Sequence, residues 1–380
     1  MRKYLLPIIL YLLINTLFVD KYTMRVTEWH YLCDALYLIF SGGLIYALWR
    51  KPLCERAVKP LLWTGGILYG IALIGVQYMI DPLTLQVDRW SAIHYFLDNL
   101  CHGIYPYSAQ THLGGYGSPF PVWQILHLPF YALGNVGLSF FAALALFLFV
   151  IARSRSARTA LMALLLVIAS PAANYEAVVR SDLVTNFFVV CSLCEWLRYR
   201  GWSLKEHTFL LAVLTGLCAS TRLAAVIPLA MLYGYAFLHA GWKKQTGFVL
   251  TVLATFALTF LPFFLWNGNQ LLFFEYNPFV LQTRQGSPAG FLLFALLAVG
   301  WTVYKKDSLQ HFHLYAGGLL TVLVVITFGY NMIVSGNCDL YCSGYDISYF
   351  NMALPFYIYE TACALSHESA SETHPSSPAC

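Results

Sequence analysis

The sequence predicts an all-α, polytopic transmembrane chain of about 12 spans, with an outer loop carrying a juxtamembrane helix and a re-entrant or interfacial segment. Three observations carry that prediction. Hydrophobic residues make up 59% of the 380 and charged residues 11%, against about 25% charged in soluble domains. Runs such as "LLPIILYLLINTLFV", "FVLTVLATFALTFLPFFLW" and "HLYAGGLLTVLVVITFGYNMIV" recur along the whole chain; each is long enough, or nearly so, to cross about 30 Å of hydrocarbon as a helix. The basic residues gather in short clusters between the runs, as cytoplasmic loops do.

Spans consistent with those clusters are 4–19, 31–49, 60–80, 137–152, 158–174, 183–198, 206–221, 223–240, 246–266, 289–304, 313–334 and 347–365. The first run has no small-residue cleavage site, so it reads as a retained helix and not a removed signal peptide. Arg2, Lys3, the segments 50–59, 153–158 and 198–205, and the pairs 243–244 and 305–306 fall on the cytoplasmic side with both termini. That places 16 of the 22 Lys and Arg inside and leaves Lys21, Arg25, Arg89, Arg180, Arg222 and Arg284 outside. A net charge of +4, scattered over short loops, implies no nucleic-acid partner. The chain shows no internal or inverted repeat, which counts against a secondary transporter.

The spans form one domain, 1–365, with 81–134 as the outer loop region and 366–380, "SHESASETHPSSPAC", as a low-complexity tail expected to be disordered. Within the loop, "GIYPYSAQTHLGGYGSPFP" (103–121) is a mixture of Gly, Pro, Tyr and small polar residues that no helix survives. Ahead of it, 88–101 has an amphipathic period: Trp90, Ile93, Phe96, Leu97 and Leu100 can lie on the bilayer while Asp88, Arg89, Ser91 and Asp98 point elsewhere. Counting "PVWQILHLPFYAL" (121–133) as a crossing would put "RSRSAR" outside, so it reads as interfacial or re-entrant. Cys191 and Cys194 form a CxxC inside an apolar run and read as small buried hydrophobes; Cys338 and Cys342 stand in an outer loop where a disulfide could form.

Four places could carry chemistry. Asp88 starts the amphipathic helix at the mouth of the membrane, where it either caps the helix or acts as a base; capping does not exclude catalysis. In "NYEAVVRSD" (174–182), Glu176 and Arg180 stand four apart and can pair on one helical face. In "CASTRLAA" (218–225), Arg222 lies between two apolar runs with almost no loop, and so sits at or below the outer interface, either functional or snorkelling. Arg284, in "NPFVLQTRQGSP", is the easiest to read as simply solvated. One carboxylate, several arginines suited to phosphate oxygens and aromatic loops suited to sugars point to an amphiphilic substrate with a phosphate at the interface.

The stretch "VDRWSAIHYFLDNLCHGIYPYSAQTHLGGYGSPFPVWQILHLPFYALGNVG" resembles the first large outer loop of the GT-C class of membrane glycosyltransferases. The residues that carry the resemblance are Asp88, Gly103, Tyr105, Pro106, Tyr107, Pro119, Pro121, Trp123, Pro129 and Gly134, and "GLCASTRLAAVIPLAMLYGY" is similar to a later helix pair of the class. Two departures stand out. The loop follows the third span where the class has it after the first, and the outer acids Asp81, Asp88 and Asp98 are widely spaced. That spacing leaves open which of them is the base and gives no case for a metal or any other cofactor.

The resemblance implies an enzyme of a bacterial cytoplasmic (inner) membrane, its active site facing outside. It would move a sugar from a polyprenyl-phosphate donor to a hydroxyl of a glycan or lipid acceptor, with inversion. Asp88 would be the base. Arg222, with Arg180, would hold the leaving phosphate, and Tyr105, Tyr107, Tyr116 and Trp123 would line the cavity. Arg89, Asp98, Glu176 and Arg284 complete the expected binding set. The rivals are a flippase or transporter of a lipid-linked glycan, which should carry ionisable residues in mid-span on several helices, and a non-catalytic assembly subunit. Only Asp34 and Glu360 read as such mid-span charges.

Overall fold

The computed structural model describes residues 5–50, 54–304, 311–341 and 345–366. Arg2, Lys3, Lys51, Lys305 and Lys306, the second partner of the Cys338–Cys342 pair, and the tail beyond Ser366 lie outside the described residues. Ser366, expected to open that tail, is buried at the end of the last helix. Among the described residues the chain is helical, with one isolated β-bridge between Gln110 and Tyr116.

Among the described residues, six helices are long and apolar enough to cross a membrane: α1 (Leu5–Thr23), α2 (His30–Arg50), α3 (Glu55–Met79), α7 (Ser139–Ser154, with the turn from Val136 ahead of it), α13 (Trp242–Phe273) and α16 (Phe312–Ser335). The pair α8 (Ala157–Ile168) and α9 (Pro171–Val178) makes a seventh if its 72° bend is taken as a break in one span. The remaining expected spans are helical too but shorter: α10 (Leu183–Tyr199), α11 (Thr208–Ala219), α12 (Val226–Leu238), α15 (Pro288–Tyr304) and α17 (Leu354–Leu365). The outward faces of the long helices are apolar, as with Leu36, Ile39 and Phe40 on α2 or Leu250, Leu253 and Leu265 on α13. A soluble monomer does not tolerate apolar exposure on that scale; a hydrocarbon solvent requires it.

The main core gathers around α17, every residue of which is buried. It packs on α1, α8, α10 and α16. The bend between α8 and α9 has a local cause. Pro171 opens α9, where its missing N–H costs nothing. The Ser170 hydroxyl accepts from the Ala173 N–H at 3.2 Å, and Asn15 Oδ1 accepts from Ser170 Oγ (2.6 Å) and the Ala172 N–H (3.1 Å). Those bonds satisfy a break that an apolar surrounding would otherwise penalise.

A second core sits at the loop end of the bundle. The amphipathic helix α4 (Arg89–Cys101) forms where its periodicity predicts, but its apolar face does not lie on the bilayer. Trp90, Ile93, Phe96 and Leu97 are buried against Tyr105, Tyr107, Phe120, Trp123 and, from α13, Phe260 and Phe263. The loop's own aromatic residues give that face a better partner than lipid. Segment 121–133 becomes two short helices, α5 (Pro121–Leu126) and α6 (Leu128–Ala132), neither long enough to cross. Gly134, at φ +79°, closes α6, with the Asn135 N–H returning to Phe130 O at 3.0 Å. The N–H groups of Phe120 and Val122 donate to Thr221 O (3.3 Å) and Ser220 O (3.1 Å), so α5 is fastened to the link that carries Arg222.

At the opposite end the core holds charges that the sequence reading undercounted. Glu195, buried on α10, lies 3.0 Å from Arg198, 3.6 Å from Arg155 and 3.4 Å from His313. The His313 ring stacks on Tyr359 at 3.7 Å, and Glu360 accepts from the Leu314 N–H at 3.3 Å.

Candidate functional site

Four segments converge at the loop end: the start of α4, the turn between α9 and α10, the α11–α12 link, and the 3₁₀ segment Ile347–Met352 that leads into α17. Arg89 ties three of them. Its Nη1 donates to Glu176 Oε1 (3.2 Å) and Ser181 Oγ (3.3 Å), its Nη2 donates to Ser348 Oγ (2.7 Å), and its guanidinium lies 5.3 Å above the Tyr349 ring. Burial works against the Arg89 charge, but Glu176 and further negative groups outweigh it and push its pKa above the ordinary arginine value. Glu176 is fully buried, and its second oxygen accepts from the N–H groups of Leu183 and Val184, both at 3.1 Å. That is the first turn of α10, where a carboxylate satisfies orphan donors and meets the positive end of the helix.

The expected pairing of Glu176 with Arg180 does not form. α9 ends at Val178, and Arg180 takes the left-handed conformation at φ +57°, with Ser181 N–H donating to Glu176 O at 2.9 Å. The helical four-residue spacing is broken, so Glu176 turns to Arg89 instead. Arg180 Nη2 donates to the main-chain carbonyl of Gln77 at 2.5 Å, closing the end of α3. It holds a helix end and faces neither of the cavities described below. Gly137 makes this possible: a Cβ there would stand 2.7 Å from Arg180 Cγ and 2.8 Å from its Cβ. Gly137→Ala should therefore lower stability by about 1–3 kcal/mol, read as a drop in the thermal midpoint of the purified protein; an unchanged midpoint would show that Arg180 has room to move.

Arg222 is 7% exposed and has a buried counter-ion that sequence reasoning missed. Its Nη2 donates to Asp182 Oδ2 at 2.5 Å, and the same oxygen accepts from Trp123 Nε1 at 2.7 Å. Burial pushes the Asp182 carboxyl up, but Arg222 and Arg89 outweigh that and hold it below the usual carboxylate range. Arg222 is therefore not snorkelling to solvent. Asp182 had a readable signal: it is the last residue of "NYEAVVRSD", and an arginine between apolar runs needs an acid from another segment.

Two cavities flank the 345–352 segment. The larger, about 310 Å³, has apolar walls from Leu183, Leu223, Ile227 of α12, Leu281 of α14 (Pro278–Thr283), Phe291 and Phe294 of α15, Leu323 of α16 and Met352, with Gln282, Gln285 and Thr327 among its polar residues and Tyr345 and Tyr349 on one wall. Arg222 is the one charged residue in that lining. The smaller, about 130 Å³, is lined by Asp88, Arg89, Glu176 and Asp346 together with Tyr22, Tyr175 and Ser348. Asp346, also missed, lies 3.2 Å from Lys21 Nζ and accepts from the Ser348 N–H at 2.7 Å. Its burial is outweighed by Arg89 and Lys21, which hold its carboxyl below the usual range.

Asp88 occupies the N-cap position of α4, yet its side chain makes no capping bond there. Its Oδ2 accepts from Thr111 Oγ1 at 3.1 Å, and Gly115 leaves the space beside it. The capping account of Asp88 therefore does not hold. Asp98 lies 10 residues further along α4, about 15 Å away by helical rise, and accepts from Tyr131 OH at 2.8 Å.

The expected aromatic lining is not what these side chains do. Tyr105 and Tyr107 are packed in the second core, Tyr107 edge-on to Phe96 at 4.9 Å. Trp123 serves Asp182, and Tyr116 stacks on Tyr276 at 5.4 Å. Arg284 is exposed just beyond α14, whose Gln282 and Thr283 do reach the larger cavity.

No protein-family model, curated protein or solved structure matches this chain. The chemistry of the site therefore rests on its geometry. A lone cation borders an apolar cavity, a group of carboxylates borders a polar one, and Tyr349 and Arg89 stand between them.

Proposed function

We propose that the protein is a membrane glycosyltransferase of the GT-C kind, transferring a sugar from a polyprenyl-phosphate donor to a hydroxyl of a glycan or lipid acceptor. In this reading the chain crosses a bacterial cytoplasmic membrane 12 times, with both ends inside and the 81–134 region on the outer face, as the split of basic residues suggests. The observation that carries the reading is the segregation of charge between the two cavities. A prenyl chain suits the apolar walls of the larger one, and Arg222 suits the phosphate at its head.

The acceptor suits the smaller, polar pocket. Asp88 takes the acceptor's hydroxyl proton as that oxygen bonds the anomeric carbon. The bond from that carbon to the phosphate oxygen breaks, its electron pair leaves with the polyprenyl phosphate, and Arg222 stabilises the charge. A single displacement inverts the anomeric centre. The reading requires the Tyr349 wall to open between the cavities.

One observation favours the flippase instead: the buried cluster of Glu195, His313 and Glu360 with Arg155 and Arg198, carried by several helices. It lies at the helix ends remote from the cavities, and Glu195 is paired there with Arg198 and Arg155. The test uses purified protein in nanodiscs, polyprenyl-phosphate sugars as donors, and mass spectrometry of lipid-linked products. New glycosylated product with release of polyprenyl phosphate supports the transferase. Movement of the intact donor between leaflets without bond cleavage would replace it with the flippase.

A further inference from the structure

Beside the small pocket, at the loop end of α1 and α2, lies a cluster that the proposed transfer does not use. Asp20 stands near the end of α1. His30 opens α2 and Asp34 follows four residues later, so both project from one face of that helix. α2 packs back along α1, and one donor atom from each of Asp20, His30 and Asp34 lies within 4.8 Å of the others. His30 Nδ1 is 2.5 Å from Asp20 Oδ1, and Asp20 Oδ2 accepts from Tyr341 OH at 2.6 Å. Asp34 Oδ1 is buried and has no hydrogen-bond partner.

This arrangement is short of positive charge. Two carboxylates held together repel one another. The imidazole, even protonated, supplies one charge and is already engaged with Asp20. Asp34 lies against Asp20, yet its buried Oδ1 has no hydrogen-bond partner, a cost that a bound cation offsets.

We propose that Asp20, His30 and Asp34 bind a divalent first-row transition ion such as Zn²⁺ or Mn²⁺. An imidazole nitrogen with two carboxylate oxygens suits those ions, whereas Ca²⁺ and Mg²⁺ take oxygen ligands. Ligands about 2.1 Å from a tetrahedral ion stand about 3.4 Å apart, so donor atoms that lie within 4.8 Å of one another close by at most about 1.4 Å, while His30 Nδ1 and Asp20 Oδ1, now 2.5 Å apart, open by about 0.9 Å. His30 gives up the Nδ1 proton to solvent on binding. A surface depression bounded by Met24, Val26, Thr27, Glu28 and His30 gives the ion access, and three protein ligands leave coordination positions for water.

The ion clamps α1 to α2. Through the Tyr341 hydroxyl on Asp20 it also holds Tyr341, and Lys21, the next residue after Asp20, is the partner of Asp346. The site stands independently of the proposed glycosyl transfer.

The test is calorimetric titration of the chelator-treated, full-length protein in detergent with Zn²⁺ and with Mn²⁺, alongside thermal melts. The expected result is one equivalent of at least one of the two ions bound, with a rise in the melting midpoint. Asp34→Asn and His30→Gln should each weaken binding by at least about 100-fold, while Glu28→Gln, at the rim, leaves it unchanged. Affinity no tighter than millimolar for both ions in the parent, or affinity equal to the parent's in Asp34→Asn and His30→Gln, overturns the proposal. Should a variant fail to fold, X-ray absorption of the ion-loaded parent decides: a shell containing imidazole supports the site, and one of water alone or of sulfur overturns it.

Discussion

Arg222→Ala should lose both stability and lipid-phosphate binding, and the two losses can be separated. Asp182 is 2% exposed and, once the guanidinium is gone, keeps one hydrogen bond, from Trp123 Nε1, with Arg89 the remaining nearby cation. A buried charge stripped of its partner costs about 3–5 kcal/mol, so the melting midpoint should fall by several degrees. Arg222→Lys should keep part of the binding, because charge survives while the planar fork is lost. The discriminating variant is Arg222→Met combined with Asp182→Asn. It removes both charges, and the asparagine oxygen can still accept from Trp123 Nε1. Its melting midpoint should recover most of the loss, yet binding of a short-chain polyprenyl phosphate in detergent should stay absent. If the double variant, or Arg222→Ala itself, binds the lipid phosphate like the parent, the larger cavity is not a phosphate site.

The parts of this architecture that follow from local periodicity were legible in the sequence. Every segment read as a span is helical, and α4 begins within a residue of its expected position, because 3.6-residue patterning and breakers act locally. What failed depended on tertiary choice. The apolar face of α4 found the loop's own aromatic residues before it found lipid, since Tyr105, Tyr107 and Phe120 fold back over it. Arg180 left helical register because α9 ends two residues earlier and the chain must turn into α10. Sequence spacing says where a side chain would sit if a helix continued, and it is silent on where the helix stops.

The candidate site shows the same division. Arg222 stood out because a charge between apolar runs is costly wherever it lies, and that reasoning is independent of the fold. Its partner could not be read with the same force, since Asp182 is 40 residues away and contact between them is made by the packing of the α9–α10 turn on the α11–α12 link. The tyrosines were chosen by type alone. Their burial shows that a Gly- and Pro-rich loop can spend its aromatic residues on its own core.

Asp88→Asn should fold like the parent and lose nearly all transfer. The structure strengthens the first half of that expectation. The Asp88 side chain makes no helix-capping bond, and its bond from the Thr111 hydroxyl can be accepted equally by an asparagine oxygen. The melting midpoint should therefore stay within the range of ordinary surface substitutions, about 0.5 kcal/mol. Transfer should fall by about 10²–10⁴-fold, the usual contribution of a positioned base, while donor binding at Arg222 persists. Asp346 is the competitor that the geometry introduces, because it lines the same small pocket. It is bound to Lys21 and to the Ser348 N–H, which stabilise its charged form and make it a poorer proton acceptor. Asp346→Asn should accordingly cost much less transfer than Asp88→Asn, and Asp98→Asn, placed about 15 Å further along α4, less again. The measurement is single-turnover sugar transfer by each purified variant in nanodiscs, with donor binding measured separately. Near-parental turnover in Asp88→Asn with loss in Asp346→Asn would move the base to Asp346. Near-parental turnover in all three would leave the pocket without a base and remove the ground for the transferase.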